Sequence, residues 1–261
     1  MTLGSLVLLR HGQSTYNAEN RFTGMLDVPL SARGADEAAT AGAHLAEAVR
    51  RDPALTPARV VTSPLVRASA TASIVAATLP GPPPLDVDWR LVERHYGAFT
   101  AELRETVRTE HGEAAYWEYR RSLDHRPPPL EPGTRAHTLV DDVLLRLPDA
   151  ARAALRRGTE SLADVVARLA PFWAELQGDL AAGRSVLVVG HGNSLRALSL
   201  LVDRLTPEEV QDLNIPTGHP LVHHVEQTPD GGLRPVPRGG TYLDARGAEV
   251  ALEVLDARGG T

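Results

Sequence analysis

The chain has 261 residues, 43% hydrophobic and 23% charged, which suits one large folded domain with a sizeable core. A formal net charge of −6 excludes the overall basic surface of a nucleic-acid-binding protein, so any anion site must be a local cluster of Arg and His. The absence of cysteine excludes disulfides, thiolate chemistry and Cys-based metal centres, and no apolar run approaches the ~20 residues that span a membrane. The first residues lack the basic and apolar regions of a signal peptide, so the expectation is a cytoplasmic protein.

In chain order, SLVLL (5–9) is a continuous apolar run ending at Arg10-His11-Gly12, the pattern of a central parallel strand. A helix is predicted over 30–51 with Ser31 as its N-cap. ARVVTSP (58–64) reads as a second buried strand leading into a helix over 65–79, with Ser63 as cap and Pro64 in its first turn. Residues 86–99 open as a possible strand, 100–124 are helical in pattern with a break near Gly112, and the Pro-rich stretch 126–133 is loop. Residues 141–183 hold a long amphipathic helix capped near Thr159 or Ser161. SVLVVGHG (185–192) is another apolar strand running into a helix, and 213–227 are a turn and a late strand. This alternation predicts an α/β fold in one catalytic domain over 1–228, with a mostly parallel central sheet and helices on both faces. The remaining tail, 229–261, is expected to be an edge hairpin or a loose surface segment.

Two apolar strands therefore end alike, one in RHG (10–12) and the other in GHG (190–192). In an open parallel sheet, ligands bind beyond the carboxyl ends of the strands. Neighbouring strands would bring His11 and His191 to one site, where the glycines allow close backbone approach. Arg10 follows a buried strand directly, and Arg67 lies in the first helical turn after VVTSP. An unpaired charge there is costly, and a bound phosphate offsets that cost through bidentate contacts. Zinc-ligand spacing is missing around either histidine, and the arginines repel cations, so the residues predict no metal. The pattern suits phosphoryl transfer.

RHG, Arg67 after TSP, Glu93 and GHG together resemble the histidine phosphatase superfamily. The longer stretches RHGQSTYNAENRFTG (10–24), WRLVERHYGA (89–98), YRRSLDHRPPPL (119–130), TESLADVVARLAPFW (159–173) and GHGNSLRAL (190–198) are similar to the cofactor-dependent phosphoglycerate mutases within it. The resemblance runs from about residue 5 to 226. It implies interconversion of 3- and 2-phosphoglycerate through a phosphohistidine primed by 2,3-bisphosphoglycerate, without a metal. The implied partners are small phosphorylated three-carbon acids and copies of the chain itself in a dimer or tetramer. It further implies His11 as nucleophile, Arg10, Arg67 and His191 around the transferred phosphoryl group, and Glu93 as general acid and base. Asn17 and Gly192 would add hydrogen bonds; Thr23, Gly24, Arg94, His95, Tyr96, Arg104, Arg120, Arg121 and Asn193 would bind substrate. The tail would lie over the site. This chain departs from the family pattern at Arg104, where Lys is usual; at Thr100-Ala101 for Gln-Gly; at Tyr16 and Tyr119, where Trp is usual; and at Met25, which replaces an aromatic. A phosphohydrolase of the same superfamily and a silent phosphoanion sensor remain the alternatives.

Overall fold

β1 (Ser5–Arg10) is buried along all six residues, which explains its unbroken apolar sequence. The computed structural model describes residues 3–229 and 231–257. After β1 come α1 (Thr15–Ala18), α2 (Ala32–Arg51), β2 (Pro57–Thr62), α3 (Val66–Ala76) and β3 (Leu85–Val87). A helical excursion follows through α4 (Arg104–His111), α5 (Glu113–Arg121), α6 (Arg135–Leu144), α7 (Asp149–Leu155) and α8 (Leu162–Ala181). The chain then returns through β4 (Ser185–Gly190), α9 (Gly192–Asp203), α10 (Pro207–Asp212), β5 (Leu221–Gln227), β6 (Leu233–Tyr242) and α11 (Ala245–Ala257).

The sheet order is β3-β2-β4-β1-β5-β6. The first four strands are parallel and the last two pair antiparallel at one edge. Alternate residues of β1 feed opposite layers: Leu6 and Leu8 pack with Leu169, Phe172 and Leu176 of α8 and Leu198 of α9. Val7 and Leu9 pack with Leu45 and Val49 of α2 and Val75 of α3. That two-sided burial fixes register, because a one-residue slip would exchange the two faces. A third apolar cluster, including Met25, Leu65, Val92, Val140 and Leu155, holds the excursion against the sheet's carboxyl end.

Several boundaries differ from the sequence expectation. α3 starts at Val66, and its N-cap is Leu65 without a side-chain bond; the Ser63 hydroxyl accepts from the Leu65 N–H instead. The long helix expected within 141–183 is α8, capped by Ser161 through a reciprocal bond pair with Asp164; what differs is the stretch before it, which forms the end of α6 and then α7. The break at Gly112, which has φ 81°, falls where it was expected and separates α4 from α5. The tail forms β6, paired along β5, and then α11, so its described part is ordered structure.

Gly12 owes its identity to packing. A Cβ on Gly12 would lie 2.0 Å from the Gly34 carbonyl oxygen, and a Cβ on Gly34 would lie 2.0 Å from that of Gln13. The turn after β1 is thus pressed against the first turn of α2, while the Gly12 N–H donates to Thr71 Oγ1 of α3 at 3.2 Å. Gly34→Ala should therefore destabilise the fold by about 1–3 kcal/mol, although alanine is intrinsically favoured in a helix by about 1 kcal/mol. The urea midpoint reads this directly; an unchanged or higher midpoint contradicts the close approach.

Candidate active site

β1 and β4 are adjacent and parallel, with Arg10 opposite Gly190 in register. The residues that follow each strand, His11 and His191, are consequently neighbours. Their rings lie 4.9 Å apart, centroid to centroid, at 65° to one another, and both are buried. His11 Nδ1 lies 2.6 Å from the Gly12 carbonyl oxygen, which can only accept, so Nδ1 carries the proton. Nε2 then keeps its lone pair, and Arg67 Nε donates weakly to it at 3.3 Å. Burial, then Arg67 and Arg10, hold His11 well below the usual imidazole range. Burial, then Arg67 and His11, do the same for His191, so both rings are neutral in the free protein. Neither ring nitrogen of His191 has a hydrogen-bond partner among the described residues.

The arginines around this pair are held by peptide carbonyls. Arg67, from the first turn of α3, donates to the carbonyls of Leu26 at 2.6 Å and Gly24 at 2.8 Å. Arg10 donates to the Ile215 carbonyl at 2.8 Å while its Nε has no acceptor among the described residues. Burial lowers Arg67 to about 10. Carbonyl dipoles satisfy these donors without cancelling their charge, so the pocket stays positive.

Glu93 is the carboxylate at this pocket. Its Oε1 accepts the Arg94 N–H at 2.7 Å and the Asn193 N–H, from the first turn of α9, at 3.2 Å. Asn193 Nδ2 donates to Tyr96 Oη at 2.8 Å, and Asn193 Oδ1 accepts from Arg196 at 3.1 Å. Behind Glu93, Arg168 of α8 pairs with Glu160 at 2.9 Å and donates to the carbonyls of Arg90 and Val92. Glu160 in turn accepts the His95 N–H at 2.9 Å.

Among the residues expected from the sequence, Arg10, His11, Asn17, Thr23, Gly24, Arg67, Glu93, Tyr96, Arg104 and Asn193 line one narrow cavity, with His191 against His11. Gly192 opens α9 just beyond His191. Arg94 is buried behind the cavity, its guanidinium 4.7 Å from the centre of the Tyr96 ring, with Nε and Nη1 lacking acceptors among the described residues. Arg120 is buried too, 5.4 Å from the Tyr116 ring. Arg104 lines the cavity beside Phe22, and burial, then Arg120, lower it to about 9. Neither Arg94 nor Arg120 lines the cavity, and Arg121 and His95 take other places. Arg121 turns away and donates to the Gln211 carbonyl and to Asn214 Oδ1, because neighbours on a helix point about 100° apart. The ring of His95 lines a different cleft, and its Nδ1 accepts the Gly97 N–H at 3.0 Å.

Sequence reasoning missed Arg21 and Phe22 as cavity lining, although both lie inside the quoted stretch 10–24. It also missed Arg168 and Arg196, whose roles depend on the three-dimensional path of the loops they hold. Outside the mouth, a cleft of about 490 Å³ shares Arg10, Asn17 and Arg104 with the cavity. Its outer wall is α11, through Val250, Ala251, Val254 and Leu255. Among the described residues, no group of three His, Asp or Glu side chains could hold a metal ion, and no helix is long and apolar enough to cross a membrane.

A model of the histidine phosphatase superfamily (branch 1) matches residues 6–154 and 142–232. The chain belongs to the histidine phosphatase superfamily. A protein of this superfamily from Thermobifida fusca, named 2,3-bisphosphoglycerate-dependent phosphoglycerate mutase, is 43% identical over 98% of this chain and all of its own length. Relatives of the same name are 40% identical in Rhodococcus opacus, over 100% of this chain and 98% of theirs, and 42% identical in Mycobacterium tuberculosis, over 98% of each. The fold matches that of a mycobacterial glucosyl-3-phosphoglycerate phosphatase, with a TM-score of 0.67 at 24% identity over 89% of this chain and 96% of that one. A structure described as mycobacterial hydrolase 1 matches with a TM-score of 0.68 at 25% identity, over 89% and 95%.

The buried histidines, in the site and at His95, have a consequence for stability. In the unfolded chain they take up protons below pH about 6.5, whereas His11 and His191 resist protonation when folded and His95 is pushed by burial down to about 4. The unfolded state then binds more protons, so stability falls as pH drops below about 6.5. Urea midpoints at pH 7.5, 6.5 and 5.5 should decline in that order; a flat series would contradict neutral buried rings.

Proposed function

We propose that this protein is a 2,3-bisphosphoglycerate-dependent phosphoglycerate mutase, interconverting 3- and 2-phosphoglycerate in the cytoplasm. The observation that carries this reading is the His11 ring: its proton is committed to the Gly12 carbonyl, and its Nε2 lone pair opens beside His191 into a pocket of unneutralised guanidiniums. Near full-length relatives of that name, at 40–43% identity, support the substrate class.

His11 Nε2 attacks phosphorus, an N–P bond forms, and the P–O bond to the departing hydroxyl breaks. Gly12 keeps the Nδ1 proton in place throughout and steadies the ring's positive charge. Arg10 and Arg67 offset the charge spread over the transferring oxygens. An incoming dianion raises the proton affinity of His191, whose unpartnered nitrogens then donate to it. Glu93 gives a proton to the departing hydroxyl oxygen and takes one from the attacking hydroxyl on return. The lack of protein partners at Arg104 Nε and Thr23 Oγ1, both of which line the cavity, fits a ligand with further anionic groups, as a phosphorylated acid has. 2,3-Bisphosphoglycerate supplies the phosphoryl group that first loads His11, and the same donors fit its charges.

Incubation with labelled 2,3-bisphosphoglycerate should leave stable label on the protein, and His11→Ala should lose both the label and mutase turnover. Rapid release of all label as free phosphate would favour the phosphohydrolase alternative, and absence of label would favour a sensor. The Arg168–Glu160 pair should act on chemistry through the position of Glu93. Arg168→Met is expected to lower kcat by up to about 100-fold with a much smaller change in KM, because a misplacement near 1 Å costs that much. Equal kcat in the folded variant contradicts this positioning.

A further inference from the structure

A second cleft of about 620 Å³ lies between α6, α7 and the Pro-rich loop, and it shares no lining residue with the cavity around His11. Most of its wall is apolar, including Leu130, Val140, Leu144 and Leu155, and Leu145 stands 71% exposed at its rim. Such a wall alone selects nothing. The informative group is His95, which is 1% exposed and lines this cleft.

The Nδ1 of His95 accepts the Gly97 N–H at 3.0 Å, so that nitrogen holds a lone pair. Burial keeps the ring neutral, with its proton affinity lowered to about 4. The single ring proton therefore sits on Nε2, the edge turned away from Gly97. No hydrogen bond of the described residues uses that N–H, and the nitrogen is not among the fully buried side-chain atoms, so a ligand in the cleft can reach it. Two cations stand at the same cleft: Arg156 and Arg157 are exposed and form no ion pair among the described residues. The other lining groups are spoken for, since Asp141 pairs with His137 at 3.0 Å and Arg152 with Asp149. Glu131 is exposed at the loop side.

We propose that this cleft is a binding site for a small organic carboxylate with an apolar body, its oxygen accepting from His95 Nε2 and its charge held by Arg156 and Arg157. The apolar wall takes the body of the ligand, as in preformed sites where a few polar groups fix orientation. The site lies apart from phosphoryl transfer but touches the frame that supports it. Glu160 accepts from the His95 N–H, and its own N–H donates back to the His95 carbonyl at 2.9 Å. A ligand on His95 thus sits two residues from Glu93, on a backbone clamped by the Glu160–Arg168 pair.

The test is calorimetric titration of the full chain with octanoate in saturating inorganic phosphate, which keeps the anion pocket around His11 filled. One saturable site is expected, with octanol giving none. His95→Asn retains an acceptor for the Gly97 N–H and removes the ring donor; it should weaken octanoate at least 10-fold. Arg156→Glu combined with Arg157→Glu changes only exposed side chains and should weaken it at least 10-fold while His11 labelling stays normal. Absence of saturable octanoate binding, or binding unchanged in both variants, overturns the proposal. Because the readout is binding and not turnover, its failure leaves the mutase reading intact, and the labelling experiment tests that reading separately.

Discussion

Positive charge is buried here without matching negative charge, and the architecture is arranged to tolerate it. Arg10, Arg67, Arg94, Arg120 and Arg196 are all almost completely buried, and Glu93 is the carboxylate set among them. Removing an unpaired ion from water is expensive, and an oppositely charged partner would repay part of that cost while cancelling the field. The chain takes another route. Carbonyls of Leu26, Gly24, Ile215, Tyr119 and Val210 accept from four of these guanidiniums, and the faces of Tyr96 and Tyr116 lie against Arg94 and Arg120. Dipoles and ring faces stabilise a cation and leave its charge available. Burial first, and then this field, keep both imidazoles neutral in the free protein.

The same donors tie the site together mechanically. Each carbonyl that accepts from a guanidinium belongs to a loop or helix end distant in sequence, so every arginine also fastens a segment to the sheet's carboxyl edge. Glu93 shows the result. Its carboxylate is aimed by the first turn of α9, its loop is gripped by Arg168 from α8, and that arginine is oriented by Glu160. Loops positioned this way behave as part of the scaffold, which suits a transfer whose catalysis is mainly placement and charge.

Much of this was legible in one dimension because some signals are local. A run buried on both sides must be apolar throughout, so β1, β2 and β4 announced themselves, and the shared His-Gly ending of two of them pointed to the site before any coordinates. Ser31, Ser161 and Gly112 likewise mark helix ends by backbone chemistry confined to a few residues. Ser63 misled, because a hydroxyl before a proline suits a cap, yet the path into α3 is set by Asp27, whose carboxylate accepts the Val66 N–H at 2.7 Å from 39 positions away. In the tail the edge hairpin was among the expectations, whereas α11 was not. β6 is largely exposed and gains its strand character from pairing with β5, which no local pattern records.

By itself the sequence determined which kinds of side chain gather at the strand ends: two imidazoles, one carboxylate and a set of arginines that no lysine dilutes. Tertiary structure alone decided that Arg120 is buried against the Tyr116 ring while its neighbour Arg121 reaches toward Asn214. It also decided that Gly12 serves the approach of α2 and that His95 opens onto a separate cleft. Residue type sets what a group can donate, accept or attract. Direction and partner come from segments far along the chain, whose positions exist only once the core has packed.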